Sequence, residues 1–321
     1  MFGSNFQAVH RTLIAVVNAA WMRIKYVFTL LLCTAACSAQ MVVVHGHRGS
    51  RATRPENTIP AFEYAIGHGA DVLELDLAVT KDNVLVVSHS PVLNSSFPGE
   101  RECVGPPLAK DTPIHTLTLQ QLQQYDCGAK TLTAFPNQVA VPNTHIPTFD
   151  EVLDLAPQGN FQFNVETKIF PLHPEMTPSP EVFVQMIDTA VRKHHLQQRV
   201  ILQSFDFRTL HAMQTLDPAI RRSALFGQAK YDKLMGINEP DKSFANMAKV
   251  SGANILSPDA SLVTPEEVAV AHKLGLQVLP YTPNTPEEWK RLTDAHVDGI
   301  ITDDPEALRN WLRKQTPPLH P

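Results

Sequence analysis

The sequence predicts a (β/α)8 barrel that carries one long irregular insertion. Three observations carry that expectation. From about residue 42 onward, eight short apolar segments alternate with segments of helical spacing, the pattern of a parallel sheet wrapped by helices. The residues able to do chemistry stand at the downstream ends of those strand segments: His47, Glu74 and Asp76, Glu166 and Lys168, Gln203 and Ser204, Tyr281 and Asn284, and Asp303. In a barrel such ends converge on one face. The chain has 321 residues, and a barrel of this type needs ~250. An open doubly wound sheet is the alternative.

The first 39 residues read as an export leader. Met22-Arg23-Ile24-Lys25 is a short positive start, residues 26–36 are an apolar run, and Cys37-Ser38-Ala39-Gln40 offers small residues for cleavage. The apolar run is shorter than the ~20 residues a span requires, so no stable membrane span is expected in the mature protein. The expected location is outside the cytoplasm, periplasmic or secreted. A lipoprotein at Cys37 or an N-terminal anchor is the alternative. The composition, 43% hydrophobic and 18% charged, suits a globular enzyme. A formal net charge of -5 and the lack of any Lys/Arg-rich run give no support for nucleic-acid binding, and no nucleic-acid partner is expected.

The barrel is expected over 40–315. Val42, Val43 and Val44 form a β-branched run suited to a strand buried on both faces. Gly46 and Gly49 bracket His47-Arg48 and let backbone approach a ligand closely. Residues 57–68 place Ile59, Phe62, Ala65 and Ile66 at helical spacing, and 71–79 form the second strand. The turn at 80–83 is too short for a parallel crossover. Residues 84–88 should therefore fold back as a hairpin, which returns His89 to the level of Glu74 and Asp76.

Residues 92–146 break the pattern. They are rich in Pro, Gly, Ser and Thr, with one helical stretch at 119–125. A segment this long and irregular is retained when it does something. It holds Cys103 and Cys127, which in an exported protein are expected to form a disulfide. Two free thiols are the plainer reading. Alternation then resumes. Helices are expected at 148–155 with Thr148 as N-cap, 181–195, 207–216, 264–274 with a capping box of Thr264 and Glu267, 285–293 and 304–313. Strands are expected at 161–168, 199–203, 220–226, 253–257, 277–281 and 299–302, with a mixed, partly helical stretch at 232–251.

Glu74 and Asp76 lie two apart on a strand, so they project together while Leu73, Leu75 and Leu77 face the other way. Neighbouring carboxylates repel unless a cation lies between them or one is protonated. Hard oxygen ligands suit Ca2+ or Mg2+. Glu166 completes a three-carboxylate set, with Lys168 beside it as a cation for phosphate. His47 and His89 are the acid–base pair, since imidazole titrates near neutrality unaided. Arg48 offers a bidentate fork for phosphate oxygens. Each reading has a plain rival. A lone Glu-Leu-Asp triplet is usually a solvated strand face. His45 shares a face with His47 and is assigned to packing. His194-His195 reads as a pair at a helix C-terminus, and Phe205, Tyr281 and Trp289 as core aromatics.

Together these residues resemble the glycerophosphodiester phosphodiesterase family, whose members are TIM barrels of phospholipase C-like type. The resemblance rests on His47-Arg48-Gly49, Pro55-Glu56-Asn57-Thr58, Glu74-Leu75-Asp76, Ser88-His89, Glu166-Thr167-Lys168, Gln203-Ser204-Phe205-Asp206, Tyr281-Thr282-Pro283-Asn284 and Asp298-Gly299-Ile300-Ile301-Thr302-Asp303. It implies hydrolysis of a small glycerophosphodiester to glycerol 3-phosphate and an alcohol, by attack of the glycerol 2-hydroxyl through a cyclic phosphate. It implies His47 and His89 as acid and base, and one divalent cation on Glu74, Asp76 and Glu166. It implies phosphate on Arg48 and Lys168, with Glu56 and Tyr281 in support, and a cap that shapes substrate choice. Ser90, Thr167, Tyr281 and Pro283 depart from the family's usual residues without touching a ligand or an acid–base group. A lysophospholipase D or sphingomyelinase-like enzyme and a non-catalytic exported phosphodiester binder are the competing readings.

Overall fold

The structure, a computed structural model, describes residues 41–96, 99–227 and 239–315. The expected leader and the first part of the 232–251 stretch lie outside the described residues. The chain runs β1 (Val43–Gly46), α1 (Ile59–Gly67), β2 (Val72–Val79), β3 (Leu85–Val87), β4 (Val92–Leu93), β5 (Thr112–Pro113), α2 (Leu119–Leu122), α3 (Phe149–Leu153), β6 (Gln162–Thr167), α4 (Pro180–Lys193), β7 (Val200–Ser204) and α5 (Phe207–Leu216). It continues through β8 (Arg221–Phe226), α6 (Phe244–Ser251), β9 (Ile255–Pro258), α7 (Pro265–Lys273), β10 (Gln277–Val278), α8 (Pro286–Asp294), β11 (Gly299–Thr302) and α9 (Pro305–Gln315). No helix among the described residues is long and apolar enough to cross a membrane.

Eight strands pair in parallel in the order β10-β9-β8-β7-β6-β2-β1-β11. The two ends of that order meet. Tyr281, just past β10, bridges Ile301 on β11. Ile301 N–H donates to the Pro280 carbonyl and Asp298 N–H to the Val278 carbonyl, each at 3.0 Å. The sheet is thus a nearly closed barrel, as expected.

Strand β2 is buried on both faces along its whole length. Helix α1 shows how the surrounding layer is specified. Thr58 caps it by accepting the Ala61 N–H, Pro60 occupies the first turn, and Ala61, Phe62 and Ala65 turn inward. Full burial of a side chain such as Phe62 is worth roughly 1.5–3 kcal/mol. Thr148 caps α3 through a reciprocal box with Glu151. At α7 the expected box forms by half. Thr264 accepts the Glu267 N–H, but the Glu267 carboxylate accepts the Phe244 N–H of α6 at 2.8 Å instead. A neighbouring helix start offers the same unsatisfied donor, and tertiary packing decides between them.

The hairpin forms as the short turn requires. Strand β3 lies antiparallel to β2 with Leu77 opposite Val87, Ala78 opposite Val86 and Val79 opposite Leu85. Its alternation serves two cores. Leu77, Val79, Leu85 and Val87 join the barrel core. Ala78 and Val86 face a second cluster with Cys103, Ile114, Leu122, Tyr125, Cys127 and Ile146. The insertion is therefore less irregular than its composition suggests. It has a two-stranded antiparallel sheet of β4 and β5, the short helix α2, and a small core of its own. Cys103 and Cys127 are joined by a disulfide across that core.

Candidate active site

The site is built at the downstream ends of the barrel strands. Strand β1 delivers His47 and Arg48 through a turn that only glycine permits. A Cβ at Gly46 would stand 2.1 Å from the Gly49 carbonyl oxygen, and one at Gly49, with φ +87°, would stand 2.8 Å from the Ala61 backbone. Arg48 itself is left-handed, φ +51°, a conformation that costs a non-glycine residue about 1–2 kcal/mol. That turn aims the Arg48 N–H at Glu74 Oε2, 2.8 Å away. Its guanidinium donates from Nη1 to Glu56 Oε1 at 2.9 Å, and its Nε lies 3.6 Å from Asp76 Oδ2. Burial works against the Arg48 charge, but Glu56, Asp76, Glu100 and Glu74 outweigh it and hold the group cationic.

Strand β2 projects Glu74 and Asp76 to the same side, and register places Asp76 beside Glu166 on β6. Oxygens of Glu74, Asp76 and Glu166 lie within 4.8 Å of one another, all buried. Burial, then Asp76 and Glu166, push Glu74 well above the usual carboxylate range. Burial likewise lifts Glu166, to about 7, although Lys168 opposes it. Burial would lift Asp76 too, but Lys168, His89 and Arg48 more than offset it and hold that carboxyl well below its ordinary value. Lys168 Nζ stands 2.6 Å from Glu166 Oε1 and 3.0 Å from Asp76 Oδ1. Asp76 Oδ1 is buried without a hydrogen-bond partner of good geometry. Three mutually repelling buried carboxylates whose donors are all hard oxygens fit a divalent cation such as Ca2+ or Mg2+.

Each expected acid–base residue has a carboxylate on one ring nitrogen. His47 Nδ1 is 2.5 Å from Asp303 Oδ1, and Asn284 Nδ2 donates to Asp303 Oδ2 at 2.7 Å. Burial lowers the His47 pKa, and Asp303 works against that. The hairpin brings His89 back beside the acidic cluster, with the Ser88 N–H on the Asp76 carbonyl at 2.9 Å. His89 Nδ1 lies 2.9 Å from Glu100 Oε1. Burial, Arg48 and Lys168 push the His89 pKa down to about 4, against Asp76 and Glu100.

Other residues take places their motifs did not specify. Asn57, φ +54°, donates from Nδ2 to Asp76 Oδ2 at 2.8 Å. Gln203 Nε2 donates to Glu74 Oε1 at 2.7 Å, and Asn164 Nδ2 to Gln203 Oε1 at 2.8 Å. These hold the carboxylates in fixed poses. His45 is buried below them, its Nδ1 3.5 Å from Asn164, and burial drops its pKa to about 3, a neutral packing residue. Glu56 lies under the loop, pairing with Arg48 and with Arg51 Nε at 2.6 Å. Tyr281 lies just past β10. Its hydroxyl donates to the Phe226 carbonyl at 3.2 Å, and its ring packs edge-on against Phe205. Trp289 is core, 3% exposed, and its Nε1 donates to the Pro283 carbonyl. The insertion is latched to the β1–α1 loop. Arg101 Nη1 donates to the Glu56 carbonyl at 2.7 Å, and Gln138 Nε2 to the Arg51 carbonyl at 2.6 Å.

Comparison with known proteins points one way. The family model described as the glycerophosphoryl diester phosphodiesterase family matches residues 47–307. A glycerophosphodiester phosphodiesterase of Caldanaerobacter subterraneus subsp. tengcongensis is 32% identical over 85% of this chain and 98% of its own. A solved candidate glycerophosphoryl diester phosphodiesterase from Silicibacter pomeroyi DSS-3 is 29% identical, with a TM-score of 0.75 over 86% of this chain and 94% of that one. An Oleispira antarctica phosphodiesterase, solved in complex with the product sn-glycerol-3-phosphate, shares the fold with a TM-score of 0.67 at 20% identity, over 84% of this chain and 96% of that one.

Proposed function

Since the chain belongs to the glycerophosphoryl diester phosphodiesterase family, we propose that it releases glycerol 3-phosphate from a small glycerophosphodiester with His47 and His89 as its acid and base. The observation that carries this reading is the arrangement around Arg48. On one side stand three buried carboxylates. Two imidazoles, each with a carboxylate on Nδ1, share the same field of Arg48.

Glu74, Asp76 and Glu166 would hold one divalent cation, Ca2+ or Mg2+. When bound, it supplies positive charge to a phosphoryl oxygen. Arg48 and Lys168 add fixed cations for the remaining phosphate oxygens, and their ion pairs hold both side chains in place before substrate arrives. With Nδ1 engaged, each histidine has Nε2 for the reacting groups. One imidazole takes the proton of the attacking glycerol hydroxyl as the new P–O bond forms, and the other gives a proton to the departing alcohol oxygen as the old P–O bond breaks, leaving a cyclic phosphate. Water then opens that ring with the two roles exchanged: one imidazole takes a proton from the water as it bonds to phosphorus, the other returns a proton to the glycerol 2-oxygen as its P–O bond breaks, and glycerol 3-phosphate is released. The insertion, latched at Arg101 and Gln138, would shape the opening through which the head group enters. Export is part of the same reading, and a disulfide is the kind of bond that persists outside the cytoplasm.

The test is glycerol 3-phosphate release from glycerophosphocholine by the purified full chain, with Ca2+, with Mg2+ and with EDTA, beside His47→Ala. Metal-dependent release that the substitution abolishes supports the reading. No release with either ion overturns it and moves the weight to a lysolipid substrate.

A further inference from the structure

Among the residues the family motifs leave without a role, Glu100 has a distinctive position. It belongs to the insertion, yet its Oε1 lies 2.9 Å from His89 Nδ1, and its side chain is only 14% exposed against 20% for the histidine. The geometry points to Glu100 as the positioning residue for His89, delivered to the barrel by the insertion. The inference rests on the acid–base reading of His89 given above.

A carboxylate can only accept a hydrogen bond. Glu100 therefore selects the form of His89 that carries its proton on Nδ1 and points Nε2 at the reacting groups. Without it the neutral ring is free to put its proton on either nitrogen, and to turn. The segment that holds Glu100 is tied down on both sides. Asn94 exchanges two hydrogen bonds with the Cys103 backbone, at 2.7 and 3.0 Å. Arg101 Nη1 reaches the Glu56 carbonyl, and Cys103 is bonded to Cys127. These contacts place Glu100 without help from His89 itself, which is what an orienting group requires. The parallel with the other histidine is close. His47 takes its carboxylate, Asp303, from the end of β11, within the barrel. His89 takes its own from outside the barrel strands. The insertion is on this view part of the proton-transfer apparatus as well as a cap.

The charged groups facing His89 are Arg48, Lys168, Asp76, Glu100 and Glu56. Of these, Glu100 alone bonds its Nδ1 among the described contacts. The experiment compares the metal-loaded full chain with Glu100→Gln and Glu100→Asp. The direct readout is 15N NMR of the His89 ring, followed over pH, which reports the pairing whether or not the protein turns over. In the parent chain the neutral ring should be the Nδ1–H tautomer. In Glu100→Gln the tautomers should mix and the titration should fall by about one pH unit. In Glu100→Asp both should largely return. An unchanged tautomer and titration in Glu100→Gln, in protein that melts as the parent does, overturns the inference. With glycerophosphocholine as substrate, kcat should drop about tenfold or more in Glu100→Gln with KM little changed. A KM effect alone would make Glu100 a substrate contact and also overturn it. Failure of the parent chain to turn over counts against the acid–base reading, while the NMR result still decides the pairing.

Discussion

His47 and Asp303 stand 256 positions apart in the chain and 2.5 Å apart in space. They follow β1 and β11, the neighbouring strands of the closed barrel, which pair from Val43 and Gly299 to Gly46 and Thr302. The His47 N–H also donates to the Thr302 carbonyl at 2.9 Å. One strand pairing thus sets both the backbone level of the imidazole and the carboxylate that orients it.

Asp303→Asn should test that relationship. Burial already lowers the His47 pKa, and Asp303 is the largest influence raising it. Removing the charge should lower the pKa further, so the limb of the kcat profile that belongs to His47 moves to lower pH. At neutral pH kcat should fall on the order of 10²-fold, with the melting temperature changed far less. A pH profile superimposable on that of the parent would sink the assignment.

The acidic cluster predicts how metal-free protein responds to pH. Glu74 is held well above its ordinary value and Glu166 at about 7. A carboxyl whose folded pKa is raised contributes stability that is fully present below its unfolded value, about 4.5, and is lost as pH rises through the folded value. Asp76 has the opposite sign, and its contribution is lost only at more acidic pH, below 3.8. Chelated protein should therefore lose stability between about pH 5 and 8, and added Ca2+ or Mg2+ should raise the melting temperature more at pH 8 than at pH 5. Calorimetry with and without EDTA decides it. A metal-induced shift that is larger at pH 5 would contradict the cluster.

Two glycines offer a contrast in stability. Gly46→Ala drives a methyl into the Gly49 carbonyl oxygen, 2.1 Å away. It should cost roughly 3 kcal/mol or more, or prevent folding. Gly67, the last residue of α1, has nothing within 4 Å of its added carbon. Alanine there should be neutral or stabilising by roughly 0.5–1 kcal/mol. Urea melts of the two variants provide the check, and similar losses in both would refute the crowding argument.

Reduction of Cys103–Cys127 should act locally. The bond closes a separation of 24 residues, worth about 3 kcal/mol to whichever unit it constrains. That unit is the insertion's own core. Reduced protein should show faster hydrogen exchange over 92–146 and an altered KM for glycerophosphocholine, with the barrel's melting temperature little moved. Equal loss of protection in β6 or β7 would show that the bond supports the whole molecule.

The barrel was legible because its signals are local. Strand segments alternate with helical ones, Glu74 and Asp76 share a face by the two-residue period, and the turn at 80–83 forces the hairpin that returns His89. The partners of those residues were not legible. Asp303 stood among strand-end residues with no role, and Gln203 meets Glu74 across 129 positions. Only the register of the closed sheet makes them neighbours. Glu100 sits in a segment with no repeating pattern, so nothing local marked it. Glu267 bonds Phe244 instead of its own cap, since two helix starts compete for one carboxylate.

The shared hairpin wall has a consequence for the modularity of this molecule. The boundary between barrel and insertion passes through a strand, with Leu85 and Val87 serving one core and Val86 the other. Cutting the chain at the ends of the insertion would leave Ala78 and Val86 as an uncovered apolar strip. The segment is therefore no cassette to be lifted out and exchanged between scaffolds. A graft that carries a new cap must bring a matching surface for Val86, and a donor chosen by loop length alone would leave that strip open to aggregation.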